Sequence, residues 1–396
     1  MTDDHPAIIG NAPIFIYSGF RASSTWLWSK FRPHENLLCY YEPFNEQLAR
    51  LTLENIGQAR PDGWRSHHPS GAPYLLEYAG MLEDEVGVPG FPQSRNLGER
   101  YIGTAGPEGP LDTDVSAYVQ GLIGHAQHLR RVPLLACTRL LGRAQGMRTA
   151  FGGYHILLLR NLYHQWNSYA GQARFGNWYF LQTLFETLEL ADRDPVIAQL
   201  AKVFPEGTCN SFDIWVAPEN FDRVFCYFIG FHLYFLTLAR RSADVVVDVN
   251  MLAKHNLGYR HKIVAKVASD VGIRLDLNDA TEKVDFPLYP IADRSGCATI
   301  IDEMAATIKL SCNARANEKA FINDLIAALW LEQGAFMRQA SGAIEYVAQL
   351  EGTLRAAERD RLDEVNSLRI LLNEKQSELD AERARIASRD DISPIG

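Results

Sequence analysis

Three short runs of this chain carry residue types that suit chemistry on an anion. Between Gly19 and Leu27 stand Arg21, Ser23, Ser24 and Thr25, one guanidinium and three hydroxyls in close succession. The run follows an apolar stretch, Ile14 to Tyr17, and leads into a helical pattern beginning near Thr25. A tight turn at Gly19 between such a strand and helix exposes backbone N–H groups at the helix start, where the helix dipole favours negative charge. Hydroxyls add donors, and the planar guanidinium matches phosphate or sulfonate oxygens. The second run places Arg160 directly after the apolar run HILLL, with Ser168 eight residues further on. An Arg at a strand's carboxyl end and a Ser about a turn into the next helix can converge on one phosphate. The third run, YYEPFNE, offers Glu42 as a proton acceptor at a strand end, with Pro43 restraining the chain behind it.

Each run also has a plainer reading. A strand-to-helix turn with a Ser or Thr cap is common in α/β proteins. An Arg closing a strand is ordinary by itself, and Glu42 could cap a helix near Phe44 or pair with a structural Arg. The first run is not a nucleoside-triphosphatase loop, because GxxxxGK[ST] requires a Lys that is absent here. Glu46, His67 and His68 stand in reserve for proton transfer. His125 and His128, at i and i+3, lack a third ligand at metal-site spacing, so no metal is expected. The aromatic cluster Trp166, Tyr169, Phe175, Trp178, Tyr179 and Phe180 suits either core packing or a stacking platform for a base or sugar.

The elements that must position these residues read as α/β. Short apolar runs, at Ile14 to Ser18, Leu37 to Tyr41, Pro133 to Thr138, His155 to Leu159 and Val245 to Val249, alternate with helical patterns. Several are nearly continuous in apolar character, as strands covered on both faces are. A central, mostly parallel sheet flanked by helices is therefore expected, in one domain over residues 1–335. Residues 60–114, rich in Gly, Pro and His, read as a lid or acceptor-binding insertion. From Val347 the texture changes again: Leu350 and Leu354 are followed, after an eleven-residue step, by Val365, Leu368, Leu372, Leu379 and Ile386 among dense charges. That spacing predicts a C-terminal coiled-coil helix over 343–390, able to join a second copy or a protein partner, or else a single solvated helix.

Composition bounds the rest. Of 396 residues, 47% are hydrophobic, enough for a large core, and Lys+Arg 39 against Asp+Glu 48 gives −9. Such an acidic chain is a poor general nucleic-acid binder, so any anion must be held by local geometry. The six cysteines lie in apolar or mixed runs without a CxxC pair, which suggests reduced thiols. No stretch matches a secretory signal or reaches the length of a membrane span, so a cytoplasmic location is expected.

The string FRASSTWL resembles the 5′-phosphosulfate loop of sulfotransferases that use 3′-phosphoadenosine 5′-phosphosulfate, usually [P/G]-[K/R]-S-G-[S/T]-[S/T]-W-L. Ala22 and Ser23 stand where that loop has Ser-Gly. RNLYHQWNSY is similar to the same family's 3′-phosphate motif, in which Arg and Ser are likewise eight residues apart. The Glu-Pro pair at 42–43 and the LLACTRLL run, with Arg139, resemble the carbohydrate-type members. The resemblance covers roughly residues 13–50 and 130–175. It implies a P-loop-like sulfotransferase fold and donor contacts from Arg21, Ala22, Ser23, Ser24, Thr25, Trp26, Arg160 and Ser168. It also implies sulfonate transfer to a hydroxyl, with a glycan as the expected acceptor, Arg21 and Glu42 as catalytic residues and no metal. Two other readings stay open: a nucleoside or small-molecule kinase with a degenerate loop, and a non-catalytic scaffold recruited through the coil.

Overall fold

A computed structural model describes residues 12–58, 73–82, 86–92, 101–254, 256–281 and 291–390. The chain divides into two compact units, residues 1–332 and 333–396. The first is built on five strands: β1 (Ile14–Tyr17), β2 (Leu37–Tyr41), β3 (Val132–Cys137), β4 (Tyr154–Leu159) and β5 (Val245–Asp248). All pair in parallel in the order β2-β3-β1-β4-β5. Each expected strand is present, within a residue or so at either end.

Parallel strands need long crossovers, and helices supply most of them. In chain order they are α1 (Ser24–Phe31), α2 (Thr113–His128), α3 (Ala144–Phe151), α4 (Leu162–Arg174), α5 (Tyr179–Glu186), α6 (Pro195–Ala201), α7 (Phe212–Trp215), α8 (Phe221–Ser242), α9 (Val249–Ala253), α10 (Leu257–Val271), α11 (Arg294–Ser311) and α12 (Ala316–Asp390). The crossover from β2 to β3 carries α2 behind a run of short 3₁₀ turns, including Leu76–Met81.

The sheet is covered on both faces, which is why its strands read as continuous apolar runs. Ile14, Ile16, Leu134, Ala136, Ile156 and Leu158 pack with Leu27, Trp28 and Phe31 of α1 and Ile263 and Val267 of α10 in one core. Phe15, Tyr17, Leu135 and Leu157 alternate with them and are equally buried. The apolar helix α8 lies inside the first unit, with 89% of its most hydrophobic window buried, as a core helix does. All six cysteines are free; five are buried and Cys209 is half-buried.

Of the 60–114 insertion, residues 60–72, 83–85 and 93–100 lie outside the described residues, and His67 and His68 with them. Its described parts are partly core: Tyr78, Phe91, Tyr101 and Ile102 are buried. In the second unit, a single helical stretch runs to Asp390 with its described side chains mostly exposed.

Candidate functional site

In a parallel sheet, the loops leaving the carboxyl ends of the strands gather along one edge, where open α/β sheets take their ligands. The loop after β1 carries Arg21 and Ser23, β2 leads into Glu42, β3 into Thr138 and Arg139, and β4 into Arg160. With β1 between β3 and β4, the three runs that stood apart in sequence share that edge.

The β1–α1 loop has an unusual backbone. Arg21 at φ 61° and Ser23 at φ 68° both occupy the left-handed region, which is uncommon for residues with a side chain and costs about 1–3 kcal/mol each. Ser23 is the N-cap of α1, yet its side chain makes no capping bond. Left-handed residues ahead of a helix can turn successive N–H groups toward a common centre, the backbone geometry from which anion-binding concavities are made. Ser24, Thr25 and Ala22 are buried at its base. Thr25 Oγ1 shares a 2.6 Å hydrogen bond with the Tyr41 hydroxyl. At the mouth of the loop, Ser18 Oγ is buried with no hydrogen-bond partner among the described residues.

The first two motifs meet directly. Arg21 Nε donates to Ser168 Oγ at 2.8 Å, across 147 residues, and Arg160 Nη1 donates to the Arg21 carbonyl at 2.8 Å, across 139 residues. Arg21 also lies over the Phe180 ring, 5.3 Å from its centroid. Trp26 turns elsewhere: its Nε1 donates to Asp279 at 3.2 Å, and Lys30, itself paired with Asp279, sits over its ring.

Two residues that the sequence did not single out for the site hold this loop from beneath. Gln165, five residues after Arg160, donates through Nε2 to the Phe20 carbonyl at 2.6 Å and lies 3.1 Å from His232 Nε2. His232 Nδ1 is 2.8 Å from the Phe228 carbonyl and must donate there, so Nε2 is the acceptor for the second hydrogen of the Gln165 amide. Burial holds the His232 imidazole neutral, lowering its pKa to about 4. Gly19 is required by this packing: a Cβ there would come 2.4 Å from Gln165 Nε2 and 2.7 Å from His232 Nε2. The hint in the sequence was a lone His in the apolar run that forms α8.

Glu42 sits at φ 47°, a third left-handed residue on this edge. Its carboxylate is nearly saturated. Oε1 accepts from Thr138 N at 3.2 Å and Thr138 Oγ1 at 2.9 Å, while Oε2 accepts from Arg139 Nη1 at 2.9 Å and from the Cys137 thiol at 3.5 Å. Burial raises its pKa, against the opposing pull of Arg139 and the Thr138 bonds. Arg139 is fully buried; its Nη2 donates to Glu46 Oε2 at 3.0 Å and to the Tyr179 hydroxyl, and its guanidinium lies 5.1 Å from the Phe20 ring centre. The Glu46 side chain stays 41% exposed against 7% for Glu42. One buried guanidinium thus joins two carboxylates and reaches back to the β1–α1 loop through Phe20.

No family model, curated protein or solved structure matches this chain.

The remaining candidates disperse. His125 bonds the Tyr40 hydroxyl at 2.8 Å, far from any ligand set, and no cluster of three metal-ligating side chains occurs among the described residues. Trp166, Tyr169 and Phe180 are core, whereas Phe175 and Trp178 remain exposed.

Proposed function

We propose that the chain is a sulfotransferase on a P-loop-like fold, moving the sulfonate of 3′-phosphoadenosine 5′-phosphosulfate to a hydroxyl acceptor of carbohydrate type. The observation that carries this reading is the convergence of Arg21, Ser168 and Arg160, from motifs nearly 150 residues apart, beside a left-handed anion loop. The residues present suit a doubly anionic donor. The loop N–H groups, Ser24 and Thr25 form one anion seat, Arg160 and Ser168 form another, and Arg21 stands between them. The orphaned Ser18 hydroxyl fits the same use, since leaving a buried hydroxyl unsatisfied costs about 1–3 kcal/mol.

In the reaction, the acceptor oxygen attacks sulfur, the bond from sulfur to the phosphate oxygen breaks, and adenosine 3′,5′-bisphosphate leaves. Arg21 balances charge on the departing oxygen, and a carboxylate takes the acceptor's proton, so positioning and charge stabilisation carry the step. The sequence alone points to Glu42 for that carboxylate. The geometry favours Glu46 for direct contact with an acceptor, because Glu42 is buried and filled by Thr138 and Arg139 while Glu46 shares the same guanidinium and reaches solvent. Glu42 then serves to hold Arg139 in place.

The test is calorimetric titration with adenosine 3′,5′-bisphosphate. A charge-assisted contact is worth about 1.5–3 kcal/mol, so Arg21→Ala and Arg160→Ala should each weaken binding roughly 10- to 150-fold. Equal affinity in all three proteins removes the donor site. Binding of magnesium ATP in its place supports a kinase, and binding without turnover across a panel of glycans supports a scaffold.

A further inference from the structure

The second unit carries a helix whose apolar residues are left in solvent. Val365, Leu368, Leu371, Leu372 and Leu379 are all exposed, although helices of folded proteins owe most of their stability to packing of such a stripe. Val365, Leu372 and Leu379 fall at positions a of a heptad, and Leu368, Lys375 and Glu382 at positions d. A shallow groove on the helix is lined by Val365, Leu368, Arg369, Leu371, Leu372 and Lys375, which are the a, d, e and g positions that line a coiled-coil seam.

We propose that this face is covered by a second copy of the same chain, in a parallel, in-register, two-stranded coil centred on residues 364–383. The charges flanking the seam select this occupant. In a parallel pair, position g of one helix meets the next position e of its partner. Glu364 then faces Arg369 and Glu378 faces Arg383, and symmetry doubles both pairs. In an antiparallel pair, e faces e and g faces g, so like charges meet: Arg369 faces Arg383 in one register and Glu364 faces Glu378 in another. Val365 at a and Leu368 at d suit two strands over three or four. Lys375, a charged residue in the seam, has its ammonium held by Glu378 of the same helix at 2.7 Å, so it can run its stem along the seam and keep its charge at the rim.

The proposal is independent of the catalytic reading, and its test uses the full chain. Sedimentation velocity should give a dimer. Leu368→Cys, oxidised under mild conditions, should form a covalent dimer, because matching d positions face each other only in the parallel register; the wild type controls for the native thiols. Two charge variants complete the test, Arg369→Glu with Arg383→Glu, and Glu364→Arg with Glu378→Arg. Each alone turns attraction into repulsion at every flanking pair and should weaken association roughly tenfold to a hundredfold at low salt. An equimolar mixture of the two should associate again as a heterodimer, which a variant that merely fails to fold would not do. A monomeric wild type, a Leu368→Cys variant that does not cross-link, or charge variants that self-associate as tightly as the wild type would each overturn the assignment.

Discussion

Replacing Arg139 with Met isolates the energetics of the cluster behind the anion loop. The guanidinium is 1% exposed, donates to Glu42 and Glu46 at 2.9 and 3.0 Å, and stacks on Phe20. Met keeps much of the volume and removes the charge. Glu42 is then left with Thr138 and Cys137 as its only donors among those described, in a site where burial already raises its pKa. Removing one member of a buried ion pair costs roughly 3–5 kcal/mol, a large fraction of a stability of about 5–15 kcal/mol. Protonation of Glu42 caps that cost, which makes it pH-dependent. A carboxyl whose folded pKa lies above its unfolded value favours the fold below the ordinary carboxylate range and loses that advantage as pH rises through the folded pKa. Arg139 keeps the loss small in the wild type; without it the folded pKa rises further and the window widens upward. Urea unfolding should therefore show Arg139→Met destabilised by about 3 kcal/mol at pH 8 and by distinctly less at pH 5, with a slope of at most about 1.4 kcal/mol per pH unit. Adding Glu42→Gln should recover most of the loss at pH 8 and little at pH 5. A deficit that is the same at both pH values, or that Gln does not relieve, would refute the idea that an uncompensated Glu42 charge is its source.

Other consequences are simpler to check. Gly19→Ala should cost roughly 1–3 kcal/mol through the clash with Gln165 and His232, and calorimetry should show weaker adenosine bisphosphate binding in whatever fraction folds. His155 and His232 are both held neutral by burial, with pKa values of about 4, so the folded state resists protons that the unfolded chain accepts from about pH 6.5 downward. Stability should fall as pH drops through that window, and His232→Asn should flatten part of the slope in an acid titration followed by circular dichroism. With an acceptor in hand, Glu46→Gln should lower kcat more than Glu42→Gln among molecules that remain folded; the reverse order would return the base role to Glu42.

The inner strands were legible because burial on both faces writes itself as unbroken apolar runs such as ILLL, and the edge strand β5 because VVV survives half-burial ahead of Asp248. The turn between β1 and α1 was legible for a different reason: Gly19 and the hydroxyl run mark a strand-to-helix turn within one local stretch. Partnership across the sheet was not. That Arg21 would donate to Ser168, or that Glu42 would be claimed by Arg139, depends on side chains brought together by strand order, which no local pattern encodes. Gln165 and His232 were hidden the same way, since a polar residue inside an apolar helix reveals that it has a partner and not which one. The insertion's Gly and Pro content also concealed that Tyr78, Phe91 and Tyr101 belong to the core.

The position of β1 has a consequence for how the chain is made. Ile14 is flanked in the sheet by Leu134 and Tyr154, so the first of the five strands to be synthesised is the middle of the sheet and both its neighbours lie more than a hundred residues away. At roughly 5–20 residues per second, Arg21 leaves the ribosome about seven to thirty seconds before Arg160. Until β3 is made the backbone edges of β1 have no neighbour to pair with, and for the whole interval the Arg21 loop has no Arg160 or Gln165 to brace it. A stop codon placed before β4 should yield a fragment that lacks a neighbour of β1 and aggregates.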